Sequence, residues 1–157
     1  MERTRTDETS AEVIAPDFRH TPAAVEALTA ALWRERELLD SLLYALSAQQ
    51  RLLETGSTRW LARATAQVSE HIEALREIEV VRSMITDQLV EELRLPASSS
   101  LLDLAAAAGE PTVSIHRDLH AATSALVEEI DRTMRVNDDL LLALVGPQPA
   151  ASSDGRA

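Results

Sequence analysis

Apolar residues recur along this chain with a helical period in three long stretches. In the first, Val25, Leu32, Leu39, Leu46 and Leu53 stand seven residues apart. Leu28 and Leu42 fall between them, while Glu35 and Gln49 take the other two intermediate positions. A second row, Ala31, Leu38, Ala45 and Leu52, runs beside the first. Two rows make a face wider than a two-stranded seam, which predicts a helix packed against two neighbours. The second stretch carries Leu61, Ala64, Val68, Ile72, Leu75, Ile78, Val81, Ile85, Leu89 and Leu93. The third carries Ile115, Leu119, Ala122, Leu126, Ile130, Met134, Asn137, Leu141 and Leu144. Both follow the helical repeat, and no alternating run bounded by turn pairs competes with them.

The helix breakers fall between these stretches. Gly56, Gly109, Gly146 and Gly155, and Pro16, Pro22, Pro96, Pro111, Pro147 and Pro149, leave 23–55, 57–95 and 112–145 free of both. Inside a helix Gly costs about 1 kcal/mol and Pro about 3 kcal/mol, so long helices need such stretches. Thr21 and Pro22 suit a cap and a first helical position. Gly56 suits a left-handed end, with Ser57 or Thr58 capping the next helix. The short break implies an antiparallel hairpin. Pro96 closes the second helix, Ala97 to Ser100 reads as a loop with a cap, and Leu101, Leu102, Leu104 and four alanines form a short helix ending at Gly109. The predicted fold is all-α: a long antiparallel hairpin plus a long C-terminal helix, elongated and coiled-coil-like. Its helices span about 22–55, 58–94, 100–108 and 112–145 within one domain, 21–145. Residues 1–20 and 146–157, rich in Thr, Ser, Pro, Ala and charge, are expected as disordered tails.

Composition narrows the chemistry. Only Phe18, Trp33, Tyr44 and Trp60 are aromatic, so the core must be aliphatic, which favours helices over strands. The net charge of −11 is spread along all three stretches, and no basic patch stands out. Nucleic acid and anionic membrane surfaces are therefore poor partners. The chain has no Cys and no Lys, which removes disulfides, thiolate metal sites, cysteine nucleophiles, phosphate-loop lysines and Schiff bases. No apolar run is long enough for a signal peptide or a membrane span, and the expected location is the cytoplasm.

Several residues invite a sharper reading. His116 and His120, at i and i+4, share one side of a helix and could hold a metal, but further ligands at matching spacing are missing. They are expected as surface or boundary residues. The Glu-x-x-His motif of di-iron bundles is absent: Val68, Val113 and Arg117 stand three before His71, His116 and His120. Glu70, Glu73, Glu77 and the Glu91–Glu92 pair alternate with Arg63, Arg76 and Arg82, as on a solvated face. Trp33 and Trp60, near opposite ends of the hairpin, read as core-edge residues, with interface anchoring the lesser reading. Asn137 sits on an apolar stripe. It either sets register as a buried polar residue or meets water where the helix frays. No enzyme, cofactor or metal is expected.

The order of elements resembles the FlgN-like flagellar export chaperones, which attend hook–filament junction proteins. The likeness runs from about Leu28 to Leu144. It passes through the turn LLETGSTRWLARAT, then HIEALREIEVVR with its Glu79 and Arg82 spacing, then SLLDLAAA, and ends at VNDDLLLAL. One departure is Met134, where the family often has a second Asn. The resemblance implies a cytoplasmic chaperone that binds the C-terminal helices of hook-associated proteins, masks them and hands them to the flagellar export apparatus. It places cargo binding on Leu126, Ile130, Met134, Asn137, Leu140, Leu141 and Leu144. The acidic flank Glu128, Glu129, Asp131, Asp138 and Asp139 would keep that face soluble and select a complementary partner. The alternative is a helical scaffold that self-associates. A secreted hairpin of the WXG type ranks lower, because the Trp-x-Gly turn is absent.

Overall fold

A computed structural model describes residues 21–146. Apart from Gly146, the expected tails lie outside the described residues, as does the side chain of Thr21 with its expected cap. Four helices follow in order: α1 Thr21–Glu54, α2 Leu61–Glu92, α3 Leu101–Ala108 and α4 Thr112–Val145. A 3-10 turn, Thr58–Trp60, precedes α2. No strand occurs among the described residues, and the all-α hairpin with a long C-terminal helix is the architecture observed.

The turns follow from backbone chemistry. Gly56 sits at φ +65, and the Gly56 and Ser57 amides donate to Leu53 O (3.1 Å) and Leu52 O (2.9 Å). This is a Schellman end, which needs a left-handed residue that Gly adopts without strain. Ser57 makes no side-chain cap, contrary to expectation. The chain tightens into the 3-10 turn, and α2 proper begins three residues later than Thr58. A second Schellman end closes α2: the Arg94 and Leu95 amides donate to Glu91 O and Val90 O, with Arg94 at φ 52. Ser100 opens α3 with a reciprocal capping box. Its hydroxyl accepts from the Asp103 amide (3.2 Å), and Asp103 Oδ2 accepts from the Ser100 amide (2.8 Å).

α1 is the central helix, flanked by α2 and α4 as its double apolar row requires. Sequence separation across α1–α2 grows from 16 at Gln49–Thr65 towards Glu35–Arg82, so these helices are antiparallel. Across α1–α4 it stays near constant, 87 at Thr29–His116 and 91 at Leu46–Asn137, so α4 runs parallel to α1. α4 lies packed along α1 through these contacts. No Cα of α2 comes within 8 Å of one in α4.

The core is divided. One cluster gathers Leu28, Leu32, Leu89, Leu104 and Leu119 under α3. The other gathers Leu39, Leu42, Leu46, Val68 and Ile130 towards the hairpin turn. Between them lies a polar layer, Arg82 Nε to Glu35 Oε2 at 3.1 Å, both side chains under one-third exposed. The predicted stripe of α2 departs here, because Val81 is 46% exposed. The physical reason is geometric: steps of three from Ile72 through Leu75 and Ile78 to Val81 each rotate the row by about 60° in the same sense.

Candidate functional site

The C-terminal half of α4 forms the candidate site. The seven residues singled out in sequence do not share one surface. Ile130 is 5% exposed and packs with Leu39, Leu42 and Leu46 of α1. Leu126 lies partly buried against the same cluster. Asn137 is 2% exposed. Leu140 and Leu141 are half-buried, while Met134 and Leu144 are exposed. Leu142 and Val145, not singled out, are the most open apolar residues of the helix. The last two turns of α4 are thus apolar nearly all round, a pattern suited to burial against a further surface.

Asn137 resolves as a buried polar junction. Its Nδ2 donates to Leu46 O and to Gln49 Oε1, each at 3.0 Å. Gln49 Nε2 in turn donates to Thr65 Oγ1 at 2.9 Å. One chain of hydrogen bonds therefore ties α4 to α1 and α1 to α2. The alternative reading, a frayed helix with Asn137 in water, does not describe this arrangement.

His116 corrects the expectation of a surface or boundary residue: it is 1% exposed. Its Nε2 lies 2.8 Å from Thr29 Oγ1, whose own proton goes to Val25 O at 2.9 Å. Thr29 therefore accepts from Nε2–H, and the buried Nδ1 has no partner. Protonating Nδ1 would bury a charge without an acceptor, and burial holds the imidazole below its ordinary pKa. The sign follows from linkage. The unfolded chain takes up the proton first, so this contribution to stability is complete above about pH 6.5 and is lost as pH falls below it. Denaturant titrations at pH 7.5 and 5.5 should show wild type weakening towards acid. The variant His116→Gln should show a flatter profile, and an unchanged slope would place His116 in solvent.

His120 points elsewhere. It lines a crevice of about 260 Å³ with Leu32, Glu35, Arg82, Leu101 and Thr123. A second cleft, of about 310 Å³, lies on the other side of α4 between Trp33, Arg36, Ile115 and Ala122. Trp33 and Trp60 are each about half exposed, and each carries an Arg over its ring, Arg36 and Arg59. Among the described residues no three His, Asp or Glu gather as a metal site, and no helix is long and apolar enough to cross a membrane.

The comparison with family profiles matches the FlgN protein family over residues 24–145. The chain belongs to the FlgN family. The match covers all of the packed helical body, from the buried Ala24 to the end of α4. Neither curated proteins nor solved structures give a match. FlgN proteins are a chaperone family of the flagellum. The sequence missed His116 and the Glu35–Arg82 layer as interior features. The signal for the second was present: Glu35 and Gln49 interrupt the heptad row of α1 at the two places where polar layers form.

Proposed function

We propose that this FlgN-family chain is a cytoplasmic flagellar export chaperone for hook-associated, hook–filament junction proteins. It holds their C-terminal helices against α4, keeps them from assembling early, and releases them to the export apparatus. The observation that carries this reading is the family match across the helical body, joined to an α4 whose C-terminal turns leave Leu142, Leu144 and Val145 uncovered. Helix-in-groove pairing needs such an uncovered apolar row, and the acidic residues around it favour a partner with basic flanks.

A pull-down from the native cell lysate, read by mass spectrometry, tests the reading. Hook–filament junction proteins should be retained by the full chain. Retention of the bait alone would overturn it in favour of a self-associating scaffold.

A further inference from the structure

The solvated face of α2 is interrupted. Its outward row, Glu70, Glu73, Glu77, Val80, Met84, Asp87 and Glu91, alternates steps of three and four, so these residues share one face. All seven are exposed. The two ends of the row are acidic, as a solvated face requires, but its centre is apolar: Val80 is 61% and Met84 67% exposed. Neither belongs to a core cluster. Helix propensity does not account for Val80, because Val is a poorer helix former than the Glu residues around it. The apolar surface also extends beyond the row. Val81, 46% exposed, stands three residues after Ile78 and three before Met84. With Arg34, Leu38, Ala74, Glu77 and Ile78 it lines a groove of about 220 Å³ between α1 and α2. One apolar strip therefore climbs from this groove through Val81 to Met84 and Val80. Contiguous exposed apolar surface on an otherwise charged helix marks a contact surface.

Charge selects the occupant. Among the described residues Glu73 pairs with Arg76 at 3.0 Å, while Glu70, Glu77, Asp87 and Glu91 pair with no cation. Arg34, at the rim of the groove, is engaged by Glu37. A second copy of this chain fits poorly. Two copies paired antiparallel about Val80 and Met84 would set Glu77 against Asp87 and Glu73 against Glu91. Paired parallel and in register, each acid would meet its own counterpart. Both arrangements bring like charges together, whereas a helix with Arg or Lys on either side of an apolar centre meets acid at both ends.

We infer that the outward face of α2 docks a basic amphipathic helix of a partner protein distinct from the cargo. The apolar centre of that helix lies on Val80, Val81 and Met84, and its Arg or Lys side chains face Glu77 and Asp87. From Glu73 to Glu91 the row extends about 27 Å, room for a helix of about five turns. The face points away from α1, because Val80 stands nine residues before the buried Leu89, about half a turn round the helix. The contact is therefore separate from α4 and does not depend on how α4 is used.

The test uses the full chain and two synthetic helical peptides of about 20 residues, titrated by fluorescence anisotropy. One carries Leu at its centre and Arg on the same face towards both ends; the other has Glu in place of every Arg. The Arg peptide should bind, and the Glu peptide should bind roughly tenfold more weakly or not at all. V80E/M84E should weaken the Arg peptide by roughly tenfold or more, with circular dichroism unchanged because both positions are exposed. E77Q/D87N should flatten the salt dependence of binding, whereas D131N/D138N, which removes as many acids from α4, should bind as wild type. A wild type without preference for the Arg peptide would overturn the docking face, as would full binding by V80E/M84E. Sedimentation and the junction-protein pull-down cover the other occupants. A dimer of the free chain that V80E/M84E abolishes would give the face to a second copy. Loss of junction proteins in V80E/M84E would give it to the cargo. Either result overturns the partner inferred here.

Discussion

Ile130→Asp is expected to weaken the free chain by about 4 kcal/mol, a cost made of a lost core contact and an unpaired buried charge. Ile130 is among the most enclosed residues of α4, seated against Leu39, Leu42 and Leu46. A carboxylate there would be seated among the side chains of Leu39, Leu42 and Leu46, none of which can pair with it. A domain of this size has about 5–15 kcal/mol in total, so the change removes a large share. Thermal unfolding followed by circular dichroism should show a lower and broader transition. Met134→Asp, one turn further along and 38% exposed, should melt close to wild type. This contrast matters for reading any binding defect. Loss of cargo in Ile130→Asp would report a loosened bundle, whereas loss in a Met134 variant would report a contact. An unchanged transition in Ile130→Asp would mean that α4 does not rest on α1 in the free protein.

Much of the fold was legible because the physics that sets it is local and periodic. The doubled row on α1 demanded two neighbours, and α2 and α4 supply them. Gly56 and Gly109 both sit at positive φ, where the pattern had ended helices. What the pattern could not give was which side of α4 faces α1. Ile130 and Met134 are adjacent on the same stripe, four residues apart. One is buried and the other open, because a stripe drawn from apolar residues alone spans both the packed face and its edge. Apolar character marks what avoids water in some state of the protein, not which partner removes it. Cargo residues and core residues therefore look alike in sequence. The polar interruptions carry more information than the leucines do. Glu35 answers Arg82, and Gln49 answers Thr65 and Asn137, so each break in the α1 row names a matching break on a neighbour. A pairing rule for buried polar residues would have set the register of all three long helices.

That register makes Asn137 the residue whose alteration should be most informative. Asn137→Asp keeps the shape and exchanges a donor for an acceptor. In the native arrangement the Nδ2 group faces two oxygens, Leu46 O and Gln49 Oε1. A carboxylate would face the same two oxygens with a negative charge and nothing to donate. Gln49 could turn its amide to donate to the carboxylate, with the Thr65 hydroxyl then donating to Gln49 Oε1, but Leu46 O would still face the buried charge. The expected loss at pH 7 is about 3–4 kcal/mol, in the range for an unpaired buried charge. The new carboxyl would titrate above its ordinary value of about 3.9 in the folded chain, because burial and the facing oxygens favour the protonated form. Its penalty is therefore present at neutral pH and shrinks as pH falls towards the unfolded value. Wild type moves the other way through His116, so the difference between the two proteins must be taken at each pH. Denaturant titrations at pH 7 and pH 5 should find the gap narrower at the lower pH. Asn137→Leu should cost less than Asn137→Asp, since it removes the donor without adding charge, and Gln49 keeps Thr65. A variant Asn137→Asp as stable as wild type at both pH values would return Asn137 to solvent. It would also break the only hydrogen-bonded link described between the C-terminal half of α4 and the hairpin.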